Sequence, residues 1–207
     1  MQAPALKVKG LTKIYPNGVK ALDSVDFDVR PGEVHAVLGE NGAGKTTLMR
    51  LLAGILQPTE GQIYLNDREV RFNSPIDALN AGIGMVQQHL ALIDRMTALE
   101  NFILKFGKRE FVVDVKEYKR RIREGLKYFG LDVPIDCPVD FLSASQKQLL
   151  EILFLFLREV RVLILDEPTS TLGGIESRKL LDLIGRFKSE GKSIIFVTHK
   201  ILSLIHI

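Results

Sequence analysis

One cysteine, Cys137, stands in 207 residues, so no disulfide can form within the chain, and a reducing cytoplasm is the expected setting. Flanked by Pro134 and Pro138, that cysteine reads as a small filler in a loop rather than a reactive thiol. Long apolar runs are also missing. The richest stretch, LLEILFLFLREV, contains Glu151 and ends in Arg158 and Glu159, well short of the roughly 18 apolar residues of a spanning helix. A membrane role would therefore come through a partner. The opening MQAPALKVKG has no long apolar core, and no signal peptide is expected from it. Excess charge of one sign is missing too. A net charge of +3 gives no electrostatic case for nucleic acid. Internal repeats and low-complexity runs are absent. What remains, 46% hydrophobic and 26% charged residues, is the composition of a globular domain large enough to bury a core.

The hydropathy pattern alternates strands with helices. Val25 to Val29 switches apolar and polar at period two, the mark of a half-buried strand. After the Pro31-Gly32 turn, Val34 to Leu38 is nearly continuously apolar, as in a sheet covered on both faces. Thr46 to Leu56 is predicted helical. Gln62–Leu65 and Val70–Phe72 are predicted to form a hairpin turning at Asn66-Asp67. From residue 88 to 158 the texture is helical. Val115, Tyr118, Ile122, Leu126 and Phe129 form one stripe at steps of three and four, leaving the charges of KEYKRRIREGLK as a solvated face. Arg161–Leu165 and Ser193–Val197 are apolar strands separated by an amphipathic helix over Glu176–Lys188. The expectation is an α/β fold, mostly parallel, with an antiparallel β part near the start and an inserted helical subdomain.

Two motifs carry chemistry. GENGAGKT, from Gly39 to Thr46, fits the P-loop pattern between a strand and a helix. Gly39, Gly42 and Gly44 let the backbone curl so that successive N–H groups face phosphates, with Glu40, Asn41 and Ala43 between them. The helix that follows, from Lys45, Thr46 and Thr47, turns its positive end to the same anion. Lys45 supplies a full charge and the Thr46 hydroxyl a ligand for Mg²⁺. The second motif is the strand Val162–Leu165 ending in Asp166-Glu167, two carboxylates at the sheet edge where α/β folds bind ligands. Asp166 suits Mg²⁺, held through water, and Glu167 suits polarisation of an attacking water.

Together these motifs resemble the nucleotide-binding domain of ABC ATPases, and the likeness runs from about Leu6 to Lys200. The resemblance implies a P-loop NTPase of ABC type with ATP and Mg²⁺ as ligands. It implies that Tyr15, in LTKIYPNG, stacks on adenine. Gln88, in GMVQQH, would touch Mg²⁺ and link the site to the helical part, and His199, in FVTHK, would meet the γ-phosphate. Lys45, Gln88, Glu167 and His199 are thus the expected catalytic set, with Thr46, Gln88 and Asp166 on the metal. His35, His89 and His206 have no such counterpart. The family signature LSGGQ appears as Leu142-Ser143-Ala144-Ser145-Gln146, with Ser143 implied to reach the ATP of an opposite cassette. Two departures stand out. Ser145 replaces a glycine, costing about 1 kcal/mol if that backbone needs φ > 0 and bringing a side chain that would crowd the phosphate, and Gly173 follows Ser170-Thr171-Leu172 where many relatives carry aspartate.

GEVHAVLGENGAGKTTLMRLLAG, GIGMVQQHLALIDRMTALENFIL and LSASQKQLLEIL resemble most the first cassette of two-cassette ATPases that power import of simple sugars and nucleosides. That likeness implies a second cassette, membrane permease subunits, an extracellular solute-binding protein and a peripheral place on the cytoplasmic face of the membrane. The alternatives are a soluble, non-transport ABC ATPase, and a cassette that binds ATP as a regulatory site and hydrolyses it poorly. The expected division is an ATPase core over 1–87 and 159–201, a helical subdomain over 88–158 and a non-native tail over 202–207. The tail, LSLIHI, matches a translated end sequence of a transposase-based sequencing adaptor, and the family continues past His199 with further strands. A C-terminally cut cassette is therefore expected.

Overall fold

A computed structural model describes residues 4–87, 92–107, 114–168 and 172–198. Gln88, His199, Ser170, Thr171 and the whole of 202–207 lie outside the described residues.

Eight strands make two four-stranded sheets among the described residues. The first is antiparallel, in the order β2-β1-β4-β5, from β1 (Leu6–Ile14), β2 (Lys20–Val29), β4 (Glu60–Leu65) and β5 (Arg68–Val70). The second is parallel, in the order β3-β8-β7-β6, from β3 (Val34–Leu38), β6 (Ile83–Val86), β7 (Val162–Asp166) and β8 (Ser193–Thr198). Helices α1 (Lys45–Leu52), α2 (Pro75–Asn80), α3 (Ala98–Phe106), α4 (Val115–Phe129), α5 (Ala144–Leu157) and α6 (Gly174–Ser189) complete the fold.

The apolar run of β7 feeds two cores at once. Leu163 and Leu165 join a cluster with Phe102, Ile122, Leu153, Phe187 and Phe196, between the parallel sheet and helices α3 to α6. Val162 and Ile164 face the other way, into a cluster with Leu48, Met49, Leu52, Leu6 and Ile63, where α1 sits between the two sheets. β8 does the same with Ile194 and Phe196 on one side and Ile195 and Val197 on the other. This is why both strands read as unbroken apolar runs: period-two alternation persists, but both faces are dry. Phe102, Phe154, Phe187 and Phe196 are fully buried, each stabilising the fold by about 2–3 kcal/mol. The helical segment shares its core with the sheet instead of closing one of its own.

Local chemistry sets the element ends. α1 stops at Leu52, four residues before the predicted end, because Gly54 turns left-handed at φ 68 against Phe72 and Ser74. A β-carbon there would lie 2.6 Å from the Ser74 carbonyl. The hairpin turns at Asn66 and Asp67, both at positive φ, as its sequence predicts, but its second strand is Arg68–Val70 and not Val70–Phe72. α3 and α5 each open on a reciprocal capping box, Thr97 with Glu100 and Ser143 with Gln146.

Candidate functional site

Because β3, β6, β7 and β8 are parallel, their C-terminal ends meet at one edge. Register places Leu38 beside Thr198, Val197 beside Asp166, and Leu165 beside Val86. The loop Gly39–Gly44, the Asp166-Glu167 pair, Gln87 and Thr198 therefore emerge together from positions spread along the chain. The two expected residues outside the described set, Gln88 and His199, directly follow Gln87 and Thr198 in sequence.

The glycine loop carries two left-handed residues, Gly42 at φ 84 and Gly44 at φ 87. Gly44 is also the N-cap of α1 and is pressed onto β2, where an added Cβ would stand 2.5 Å from the Ala21 carbonyl and 2.8 Å from Leu22. Only glycine satisfies both conditions. Asn41, Gly42 and Ala43 form the exposed rim of the loop, and the Ala43 N–H donates to the Glu40 carbonyl at 3.2 Å. Lys45 folds back over the loop, its Nζ donating to the carbonyls of Gly39 at 2.7 Å and Glu40 at 2.8 Å. The ammonium is held at the loop mouth, where a phosphate would rest.

Thr46, in the first turn of α1, lies close enough to Asp166 at the end of β7 to lower its carboxyl, so the hydroxyl and the carboxylate predicted for Mg²⁺ are neighbours. Asp166 is 7% exposed. Burial pushes its carboxyl above the ordinary range; the Thr46 hydroxyl pulls it back, the Glu167 charge raises it again, and Arg50 and Lys45 lower it. The donor set fits magnesium, a hard cation held by one or two protein oxygens with phosphate and water completing the shell. Among the described residues no group of three His, Cys, Asp or Glu side chains could cage a metal by itself. Arg50, one turn beyond Thr46, is a contributor that no motif announced; its i,i+4 spacing from Thr46 was the available signal.

Glu167 follows with a left-handed backbone, φ 50, a strain of about 1–2 kcal/mol for a residue with a β-carbon. Its N–H donates to Val197 of β8 at 2.9 Å and turns the chain out of the sheet. Tyr15, just past β1, is half-buried and places its hydroxyl 3.2 Å from that of Thr47 on α1. Lys13 stands over the same ring at 5.8 Å. The antiparallel sheet thus brings an aromatic face beside the glycine loop.

Ser143 is not brought to that loop. It caps α5, accepting from the Gln146 N–H at 3.2 Å while the Gln146 side chain accepts from its own N–H at 3.0 Å. Ser145 lies in the first turn of α5 and is not among the residues with positive φ. The left-handed penalty considered from sequence therefore does not arise, because helical backbone suits serine. Its hydroxyl sits 2.9 Å from that of Ser143. Gly173 is the N-cap of α6, with no side chain to cap it.

The sequence matches the family described as ABC transporter over residues 22–170. The chain belongs to the ABC transporter family. This ABC cassette is 42% identical over 198 residues to the arabinose import ATP-binding protein AraG of Azospirillum brasilense, covering 95% of this chain and 38% of that protein. To the AraG of Yersinia pestis it is 38% identical over 200 residues, 96% of this chain and 38% of the relative. The chain thus spans under two fifths of the curated relatives it matches. Among solved structures the cassette is similar to cbiO1 of Clostridium perfringens, part of the ABC transporter complex cbiONQ, with TM-score 0.81, 31% identity and coverage of 97% of this chain and 80% of that one. It also superposes on the dimeric ATP-binding cassette MJ0796 in a post-hydrolysis state bound to ADP and phosphate, with TM-score 0.84, 27% identity and coverage of 97% and 90%.

Proposed function

We propose that this chain binds and hydrolyses Mg-ATP to power uptake of a simple sugar through separate permease subunits. The observation that carries the reading is the convergence, at one sheet edge, of the Gly39–Thr47 segment with the Asp166-Glu167 pair. The loop N–H groups and the end of α1 bind the phosphates, and Lys45 holds the β- and γ-groups. Thr46, Asp166 and Gln88 are the proposed ligands of Mg²⁺, which when bound neutralises charge on the phosphates. Glu167 orients the attacking water, His199 steadies the γ-phosphate, and Tyr15 stacks on adenine.

The proposed partners follow the same reading. Ser143 serves ATP bound by a second cassette, and the helical segment 88–158 docks on the permease, which receives solute from an extracellular binding protein. A sugar is favoured over a nucleoside because the matched relatives are named for arabinose import. Among the described residues no helix is long and apolar enough to cross a membrane; the proposed place, peripheral on the cytoplasmic face, rests on the likeness to import ATP-binding proteins. For the regulatory alternative, the helical backbone of Ser145 removes the left-handed penalty, while its side chain and Gly173 remain the features that motivate it.

Calorimetric titration of the full-length protein with Mg-ATP tests the reading. Lys45→Ala is expected to weaken binding by at least about 100-fold, and Glu167→Gln to keep binding while slowing hydrolysis by a similar factor. Unchanged affinity in Lys45→Ala would refute it.

A further inference from the structure

Two residues beyond the Ser143–Gln146 cap, Gln148 turns into the interior and is 6% exposed. Its Nε2 donates to the Pro168 carbonyl at 2.8 Å. Its Oε1 is buried with no hydrogen-bond partner among the described residues. A leucine or methionine would fill this space and strand no acceptor, so the amide's contribution lies in the one bond it makes. That bond grips the residue immediately after Glu167, whose own N–H is held by Val197 of β8. The left-handed turn carrying the carboxylate is therefore pinned from two sides, by the sheet and by α5. The neighbouring Lys147 reaches Asp94 at 2.7 Å, so the start of α5 is also tied to the segment ahead of α3.

We infer that Gln148 is a positioning residue for hydrolysis: through Pro168 it fixes Glu167 relative to the helix that begins at the signature serine. A movement of α5 when Ser143 meets nucleotide on an opposite cassette would then be delivered directly to the water-orienting carboxylate. The inference rests on Glu167 having that role.

The test is steady-state and single-turnover hydrolysis by the full-length protein. Gln148→Met, of similar length but without a donor, is expected to lower kcat about 10- to 100-fold with KM for ATP within twofold, since a displacement near 1 Å suffices for such a loss. In a Glu167→Gln background the same change should cause no further loss, because both act through one group. Gln148→Leu also fills the space and removes the donor, so it should show the same kcat loss if the methionine variant fails to fold. A wild-type rate in either variant, a parallel loss of nucleotide affinity, or additive losses with Glu167→Gln would overturn the inference while leaving the proposed reaction standing. Hydrolysis unaffected by Glu167→Gln would overturn both.

Discussion

Replacing Gly44 by alanine separates two demands that the glycine loop makes on its backbone. Gly44 and Gly42 share nearly the same conformation, φ 87 and φ 84. Their surroundings differ: a β-carbon on Gly42 meets nothing within 4 Å, whereas one on Gly44 meets the Ala21 carbonyl at 2.5 Å and Leu22 at 2.8 Å. The left-handed backbone alone costs alanine about 1–2 kcal/mol, offset by about 0.5 kcal/mol or more from the stiffer unfolded chain. Gly42→Ala should therefore cost roughly 1 kcal/mol. Gly44→Ala adds a collision with backbone that cannot rotate away, and displacing β2 from the start of α1 costs on the order of a further 1–3 kcal/mol, the scale of overpacking. For a chain of this size the melting point should fall by about 2–4 °C in the first variant and by about 5–15 °C in the second. Parallel thermal and urea unfolding of the two variants measures the difference. Equal destabilisation would show that the loop is not seated on β2 as described.

Three further outcomes follow from side chains at the site. Tyr15→Phe keeps the ring and loses only the bond to Thr47, so KM for ATP should change less than threefold, whereas Tyr15→Ala should raise it about 10-fold, the worth of one stacked base. Asp166 carries a carboxyl raised by burial, so the charged form opposes folding at neutral pH and that opposition fades as pH falls towards the unfolded carboxylate range. Asp166→Asn should therefore stabilise the nucleotide-free protein in urea titrations at pH 8 and lose that advantage near pH 4; an advantage that grew on acidification would contradict the assigned direction. Ser145→Gly should leave hydrolysis no faster and lower stability by about 0.5 kcal/mol, because the position is helical and glycine is the poorer helix former; a faster enzyme would revive the reading of a weakened cassette.

Much of the site was legible because its signals are local. The glycine spacing, the apolar strand before it and the acid pair closing β7 are contiguous in sequence, and parallel pairing then brings their ends together. The stripe from Val115 to Phe129 likewise became α4 at the predicted length. β1 was not legible. Its alternation of Leu6 and Val8 breaks where Gly10 turns left-handed and the register with β2 shifts, after which Leu11 and Thr12 are both buried. α2 is six residues long, too short for a helical period to show. Long-range side-chain pairs such as Tyr15 with Thr47 and Gln148 with Pro168 leave no trace in spacing, since the packing of the antiparallel sheet on α1 and of α5 on the site decides them.

The pairing of β3 with β8 bears on how the protein is made. Among the described residues the strand that launches the glycine loop pairs in its sheet with β8, Val34 opposite Ile194, roughly 160 residues later. At ribosomal speeds of about 5–20 residues per second, the loop waits roughly 8–30 s after synthesis before its supporting strand exists. During that interval α1 and the antiparallel sheet can assemble from neighbouring sequence, but the edge that gathers Gly39, Asp166 and Thr198 cannot. Nucleotide should therefore be a late passenger in biogenesis, gripping the chain only after β8 has left the ribosome.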